Sequence, residues 1–237
     1  MSKLVFDIET IGENFDEMDA TTQEILIKSI KKDSKDNDEY EKSLQDLKQG
    51  LGFSPLTGEI VAIGVLDCEK DKGAVCFQAP NANLKETEEN GIKFKPMTEK
   101  EMLENFWNGA KNYQEFISFN GRSFDVPFLM IRSAIHNVLP TKDLMSNRYL
   151  GSQKYDSKHI DLFDQLSFYG AVWQRKGGLH LWSRAFNIES PKANGITGDD
   201  VSALFKEKKF LDIAKYNVGD LRATKKLYEY WEKYFKF

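Results

Sequence analysis

Five residues of this chain could do chemistry together: the carboxylates of Asp7, Glu9, Asp125 and Asp220, and the phenol of Tyr216. They lie in three short blocks: FDIET from Phe6 to Thr10, NGRSFD from Asn120 to Asp125, and YNVGD from Tyr216 to Asp220. Four carboxylates gathered in one place repel one another and cost several kcal/mol to desolvate unless cations compensate. Mg²⁺ and similar hard ions take a few carboxylate oxygens and complete their shell with water and substrate phosphate. Such a set suits metal-dependent hydrolysis of a phosphodiester.

Taken singly, each block also has a structural reading. Residues two apart in a strand share a face, so Asp7 and Glu9 point the same way. An isolated D-x-E usually marks a strand emerging into solvent, but this strand is apolar apart from its acids. Asp125 follows a strand and a loop opened by Gly121, which permits tight backbone geometry. Alone, Asp125 reads better as a helix cap; in the chemical reading it projects toward the strand end that carries Asp7 and Glu9. Asn120 could hydrogen-bond substrate or orient the loop. Phe124 could stack on a terminal base or anchor the loop in the core, and the core is the stronger reading. Tyr216 and Asp220 lie one turn apart on one helix face, where a tyrosine packing over an acid is frequent.

The elements that must position these residues follow from local pattern. Residues 3–10 read as a buried strand. Helices are expected at 19–32 and 40–49 around a polar stretch at 33–39, so 12–56 reads as a charged helical insertion after the first strand. Strands follow at 59–67 and 74–79. A helix capped by Thr98 covers 98–112, a strand covers 115–120, and a helix with Pro127 in its first turn covers 126–138. The segment 158–166 starts as a strand, 179–187 is a short helix, and 191–200 is a loop. Helices at 200–208 and 210–236 end the chain. Strands alternating with helices after an initial hairpin indicate an α/β fold with a mixed sheet.

Composition limits the alternatives. The chain has 237 residues, 41% of them hydrophobic, with 17 Phe and 9 Tyr, enough for a large core. No apolar run approaches membrane-spanning length, and acids stand where a secretory signal would need an apolar stretch. A cytoplasmic location is expected, with Cys68 and Cys76 reduced. The net charge of −4 does not announce a nucleic-acid binder. It is uneven, however: residues 1–50 hold 13 acids and 7 bases, whereas residues 142–184 hold 7 bases and 4 acids. Arg122, Lys154, Lys158, Arg175 and Lys176 are candidates for phosphate contacts. His159 and Asp161 read as strand-end structure, and His180 as a partly buried structural residue.

In this order, FDIET, N-x₄-D and Y-x₃-D resemble the three motifs of the DEDD 3′–5′ exonuclease superfamily in its tyrosine subclass. The pattern is similar to the proofreading domains of family-B DNA polymerases and to predicted stand-alone exonucleases related to them. SPLTGEIVAIGV and HIDL also resemble that stand-alone group. The resemblance covers nearly the whole chain except 12–56. In the histidine subclass a His stands five residues before the last Asp; here that position is Lys215, and Tyr216 stands four before. The resemblance implies one RNase H-like exonuclease domain over 1–237, with a mixed five-stranded sheet flanked by helices, and two Mg²⁺ or Mn²⁺ ions. It implies that Asp7 bridges both ions, that Glu9 and Asp220 hold one, and that Asp125 helps hold the other mostly through water. Thr10, Asn120 and Phe124 are the candidate substrate-binding residues. The implied partner is the 3′ end of a single-stranded nucleic acid, DNA ahead of RNA, and the products are 5′-mononucleotides. Tyr216 would orient rather than deprotonate, because a phenol pKa near 10 makes a poor base at neutral pH.

Two other readings use the same fold. A non-catalytic nucleic-acid- or partner-binding module would have no reason to keep the full acid set. An endonuclease acting on RNA–DNA hybrids is disfavoured by the tyrosine motif in the last helix.

Overall fold

Strand β1 (Lys3–Gly12) is the axis of the structure because it is apolar on both faces. Leu4, Phe6 and Ile8 pack on one side of the sheet, and Val5 and Ile11 on the other. The computed structural model describes residues 1–172, 178–189 and 198–236. Arg175, Lys176 and most of the expected 191–200 loop lie outside the described residues.

After β1 come α1 (Ala20–Asp33) and α2 (Asn37–Gly50), then β2 (Gly58–Asp67), β3 (Lys72–Phe77), β4 (Thr87–Glu89) and β5 (Ile92–Pro96). Helix α3 (Glu99–Ala110), β6 (Glu115–Ser118), α4 (Asp125–Ile135) and β7 (Lys158–Asp161) follow. The chain closes with α5 (Leu162–Leu166), α6 (Leu179–Ala185), α7 (Val201–Lys206) and α8 (Phe210–Tyr234).

These strands form one mixed sheet in the order β4-β5-β3-β2-β1-β6-β7. The five expected strands are its core, and the β4–β5 hairpin extends it to seven. This hairpin was not legible as strands because β4 is TEE, wholly exposed and without apolar alternation. Its turn is Asn90–Gly91, both with positive φ (50° and 78°), the geometry of a tight hairpin turn. Strand β5 then pairs parallel with β3 and buries Ile92 and Phe94.

Helices cover both faces. Helix α8 presents Ile213, Leu221, Leu227 and Trp231 to one side of the sheet. Helices α3 and α4 cover the other with Met102, Leu103, Phe106, Trp107, Phe128 and Leu129. The expected Thr98 cap starts α3, and Glu101 completes a capping box with it. Buried Glu99 ties α3, α4 and β2 together: it accepts from Ile60 N (2.8 Å), Arg132 Nε (2.9 Å) and Arg132 Nη2 (2.7 Å), and contacts His136 Nε2 (2.6 Å). Helices α1 and α2 bury none of their residues. Cys68 and Cys76 are free thiols. Among the described residues, no helix is long and apolar enough to cross a membrane.

Candidate active site

Strand β1 and helix α8 deliver the first three acids. Asp7 and Glu9 share a face of β1, and Asp220 projects from the buried face of α8. One oxygen from each of the three lies within 4.8 Å of the others. Asp7 is half-buried, and Glu9 and Asp220 are buried.

Asp125 reaches the same place from the other neighbour of β1. The parallel pairing of β1 with β6 covers only Lys3 to Val5. The Ile8 amide further along β1 donates to Asp125 Oδ1 (3.1 Å), so the carboxylate takes the place of a strand partner. Asp125 is the first residue of α4; Phe124 holds the cap position and makes no side-chain cap bond. The carboxylate therefore points at β1 rather than serving as the ordinary helix cap. It lies outside the group of three close oxygens, yet its charge is the strongest of those acting on Asp7.

The electrostatics are those of crowded, buried carboxyl groups. Burial, then the charges of Asp125, Asp220 and Glu9, hold the Asp7 carboxyl well above its ordinary value. Burial and Asp220 do the same to Glu9, opposed by a hydrogen bond from Asn217. Burial pushes Asp125 up to about 7, against the lowering effect of its own and the Ile8 N–H groups. Asp7, Glu9 and Asp220 offer hard carboxylate oxygens within mutual reach, which fits a divalent cation.

Tyr216 lies one turn before Asp220. Burial, the nearby acids and a hydrogen bond to Asp220 raise its phenol pKa far above the ordinary value, so it is a proton donor and not a base. Lys215, beside Tyr216, pairs with Glu89 of β4 (2.9 Å).

Sequence reasoning missed Asn217. Its Nδ2 donates to Asp7 Oδ2 (2.8 Å) and to Glu9 Oε1 (3.4 Å), bridging the two β1 acids. Its Oδ1 is buried without a hydrogen-bond partner. Space for this side chain exists because Gly64, opposite Asp7 on β2, has no Cβ: one built there would lie 1.8 Å from Asn217 Oδ1. The signal was available within YNVGD, since Asn217 and Asp220 are three apart and share a helix face.

The loop before Asp125 is held from behind. Asn120, at φ 62°, lies just beyond β6, and its backbone N–H donates to Asp161 Oδ1 (2.9 Å). Arg122 N donates to Asp161 Oδ2 and Phe163 N to Asp161 Oδ1, both at 2.9 Å. Asp161 is thus the structural strand-end residue expected, and its work is to fix the loop that presents Asp125. Phe124 is half-buried, its ring 5.0 Å from that of Phe128 and 6.5 Å from that of Phe53. Thr10 spends its hydroxyl hydrogen on Gly52 O (2.7 Å).

Other candidates are placed differently. The Arg122 guanidinium donates to the carbonyls of Asn147, Met145 and Leu144; it buttresses a loop and is not presented to phosphate. Lys158 lies over the Tyr155 ring. His159 is fully buried against Ser118 Oγ (2.7 Å) and Leu144 O (3.1 Å), and burial lowers its pKa to about 3, so it is neutral. His180 is exposed in α6 rather than partly buried, because the buried face of that short helix is carried by Trp182 and Ser183.

Residues 58–234 match a family described as predicted 3′–5′ exonucleases related to the exonuclease domain of PolB. That stretch includes Asp125, Tyr216 and Asp220; β1 with Asp7 and Glu9 lies before it. Among solved structures, the family B DNA polymerase of the hyperthermophilic archaeon Pyrobaculum calidifontis is similar, with a TM-score of 0.60 and 16% identity over 98% of this chain. The chain spans 24% of that polymerase. The likeness bears out an RNase H-like exonuclease fold, an α/β sheet flanked by helices. No curated protein sequence matches the chain. By the family match over most of its length, the chain belongs to the predicted 3′–5′ exonucleases related to the PolB exonuclease domain.

Proposed function

We propose that this chain is a metal-dependent 3′–5′ exonuclease that hydrolyses terminal phosphodiesters of single-stranded nucleic acid, DNA in preference to RNA as the substrate class, to 5′-mononucleotides. Residues 1–237 act as one exonuclease unit into which 12–56 is inserted, and the free thiols suit a cytoplasmic setting. One observation carries the reading: acids from β1 and α8, more than two hundred residues apart, bring oxygens within 4.8 Å of one another, with Asp125 bonded beside them.

Asp7, Glu9 and Asp220 would hold Mg²⁺ or Mn²⁺, with Asp125 serving a second ion from the other side of β1. Bound divalent ions supply Lewis acidity, neutralising the scissile phosphate and lowering the pKa of the attacking water. In the overall reaction the water oxygen bonds to phosphorus, the P–O3′ bond breaks, and the departing 3′ oxygen takes up a proton. Asn217 holds the Asp7 and Glu9 carboxylates in fixed rotamers. Tyr216, neutral across the working pH range, holds Asp220 and offers its hydroxyl to the water or the phosphate. Asp161 keeps the 120–124 loop in register, so that Asp125 and Phe124 stay at the strand end. Thr10, Asn120 and Phe124 line the approach as substrate-binding positions.

Purified protein with Mg²⁺ or Mn²⁺ and matched 5′-labelled DNA and RNA oligonucleotides tests the reading. A ladder shortening from the 3′ end, loss on Asp7→Asn, and an uncut circular strand are expected. Cleavage of the circle would make the protein an endonuclease. No divalent-metal binding by calorimetry would leave only a binding module.

A further inference from the structure

The 12–56 insertion is not wholly an appendage. Its helices bury nothing, but its return turn, Leu51–Phe53, is clamped onto the end of β1. Leu51 is buried. Gly52 O accepts from the Thr10 hydroxyl (2.7 Å) and Leu51 O from the Thr57 hydroxyl (2.8 Å). The Gly12 and Gly52 backbones approach so closely that a Cβ on either would lie 2.9 Å from the other's nitrogen. This rigid turn holds up an aromatic ring that the core does not use: Phe53 is 65% exposed.

The position of that ring matters. Phe53 meets Phe124 edge-on (62°), and Phe124 meets buried Phe128. Three rings thus run from the core to solvent. Phe124 directly precedes Asp125, and Thr10, which fixes the turn, directly follows Glu9. Phe53 is therefore tied to both segments that carry the acids, touching the residue before Asp125 and following the glycine that Thr10 holds. The other largely exposed aromatic residues among those described, Tyr149, Tyr155, Phe168, Tyr230 and Tyr234, have no ring contact with Phe124.

Resting on the exonuclease reading, we propose that Phe53 supplies a stacking face for a nucleobase at the 3′ end of the strand, so that the insertion contributes part of the substrate site. A flat apolar ring held rigidly in solvent beside a phosphate-handling centre is what single-strand binders use, because every base has a π face. The grip is on the base as a flat ring and is indifferent to its identity.

The test uses the full chain and an oligonucleotide with 2-aminopurine at its 3′ terminus. In Ca²⁺, which slows hydrolysis, wild-type protein quenches the probe; Phe53→Ala abolishes the quenching and Phe53→Trp restores it. In Mg²⁺ or Mn²⁺, Phe53→Ala raises KM by roughly 5- to 100-fold, the range expected for loss of one stacked base. Wild type loses a similar factor on a 3′-terminal abasic strand, and Phe53→Ala no longer distinguishes the two substrates. An active wild type whose quenching and KM are unchanged by Phe53→Ala overturns the stacking face alone and leaves the exonuclease reading standing. Quenching that depends on Phe53 without any cleavage overturns the exonuclease reading and keeps the stacking face. A wild type that neither quenches nor cleaves overturns both.

Discussion

Gly64 and Asn217 are matched across the sheet: a Cβ on Gly64 would lie 1.8 Å from Asn217 Oδ1. The missing side chain on β2 is what allows an α8 amide to reach Asp7 and Glu9. Gly64→Ala is therefore expected to push Asn217 off its two acids and to lower stability by about 1–3 kcal/mol, as overpacking does. Asn217→Leu removes the donor while roughly keeping the volume. Both should weaken Mn²⁺ binding, measured by calorimetry, by roughly 10- to 100-fold, the usual cost of losing a partner that orients a metal ligand. Unchanged affinity in both variants would mean that the amide bridge has no part in holding the site.

Asp7→Asn separates activity from stability. It should abolish most mononucleotide release, by roughly 10³-fold or more, since several kcal/mol of charge stabilisation depend on that ligand. The same change removes a negative charge that Asp125, Asp220 and Glu9 all oppose. In EDTA at pH 8 its melting temperature should rise above that of the wild type. A melting temperature that falls would contradict the electrostatic account of the cluster.

Stability without metal should depend on pH with a defined sign. Asp125 has a folded pKa of about 7, against an ordinary carboxyl value of about 4; Asp7 and Glu9 are raised as well. Between these limits the folded Asp125 holds more protons than the unfolded one, so its contribution falls as pH rises from about 4 to about 7, and Asp7 and Glu9 act in the same direction. Denaturant midpoints in EDTA should follow this trend, and Asp125→Asn should flatten it. Added Mn²⁺ should raise the midpoint more at pH 8 than at pH 5; an equal effect at both would separate metal binding from these acids.

Glu99 provides a contrasting acid. Burial pushes its pKa up, but Arg132, the Ile60 N–H and His136 outweigh burial and leave it below the ordinary range. Glu99→Ala leaves the Arg132 guanidinium buried without its partner and should cost about 3–5 kcal/mol, read by urea denaturation. Because the cluster lies beneath α3 and α4, away from the α8 face, the release rate per folded molecule should persist below the melting point.

Local periodicity decided much of this protein before any tertiary contact. The two-residue repeat of a strand puts Asp7 and Glu9 on one face, and the helical repeat puts Tyr216 over Asp220. Apolar runs in β1, β2 and β6 announced a buried sheet, and Thr98 announced the start of α3. Those features depend on neighbours a few residues away, so residue order alone carries them.

What only the tertiary structure decided involves partners distant along the chain. The Asp125 bond to Ile8 N exists because β6 stops alongside Val5, and Asn217 bridges two acids because Gly64 opposite lacks a side chain. Arg122, basic and near the acids, is drawn off by three carbonyls of the 144–147 loop. Strand β4, with no apolar pattern of its own, exists because β5 is there to pair with it. Phe53 is an unremarkable aromatic until the turn that carries it docks on Thr10. In each case the deciding quantity is a distance set by packing of segments far apart in sequence, and no spacing within the chain encodes it.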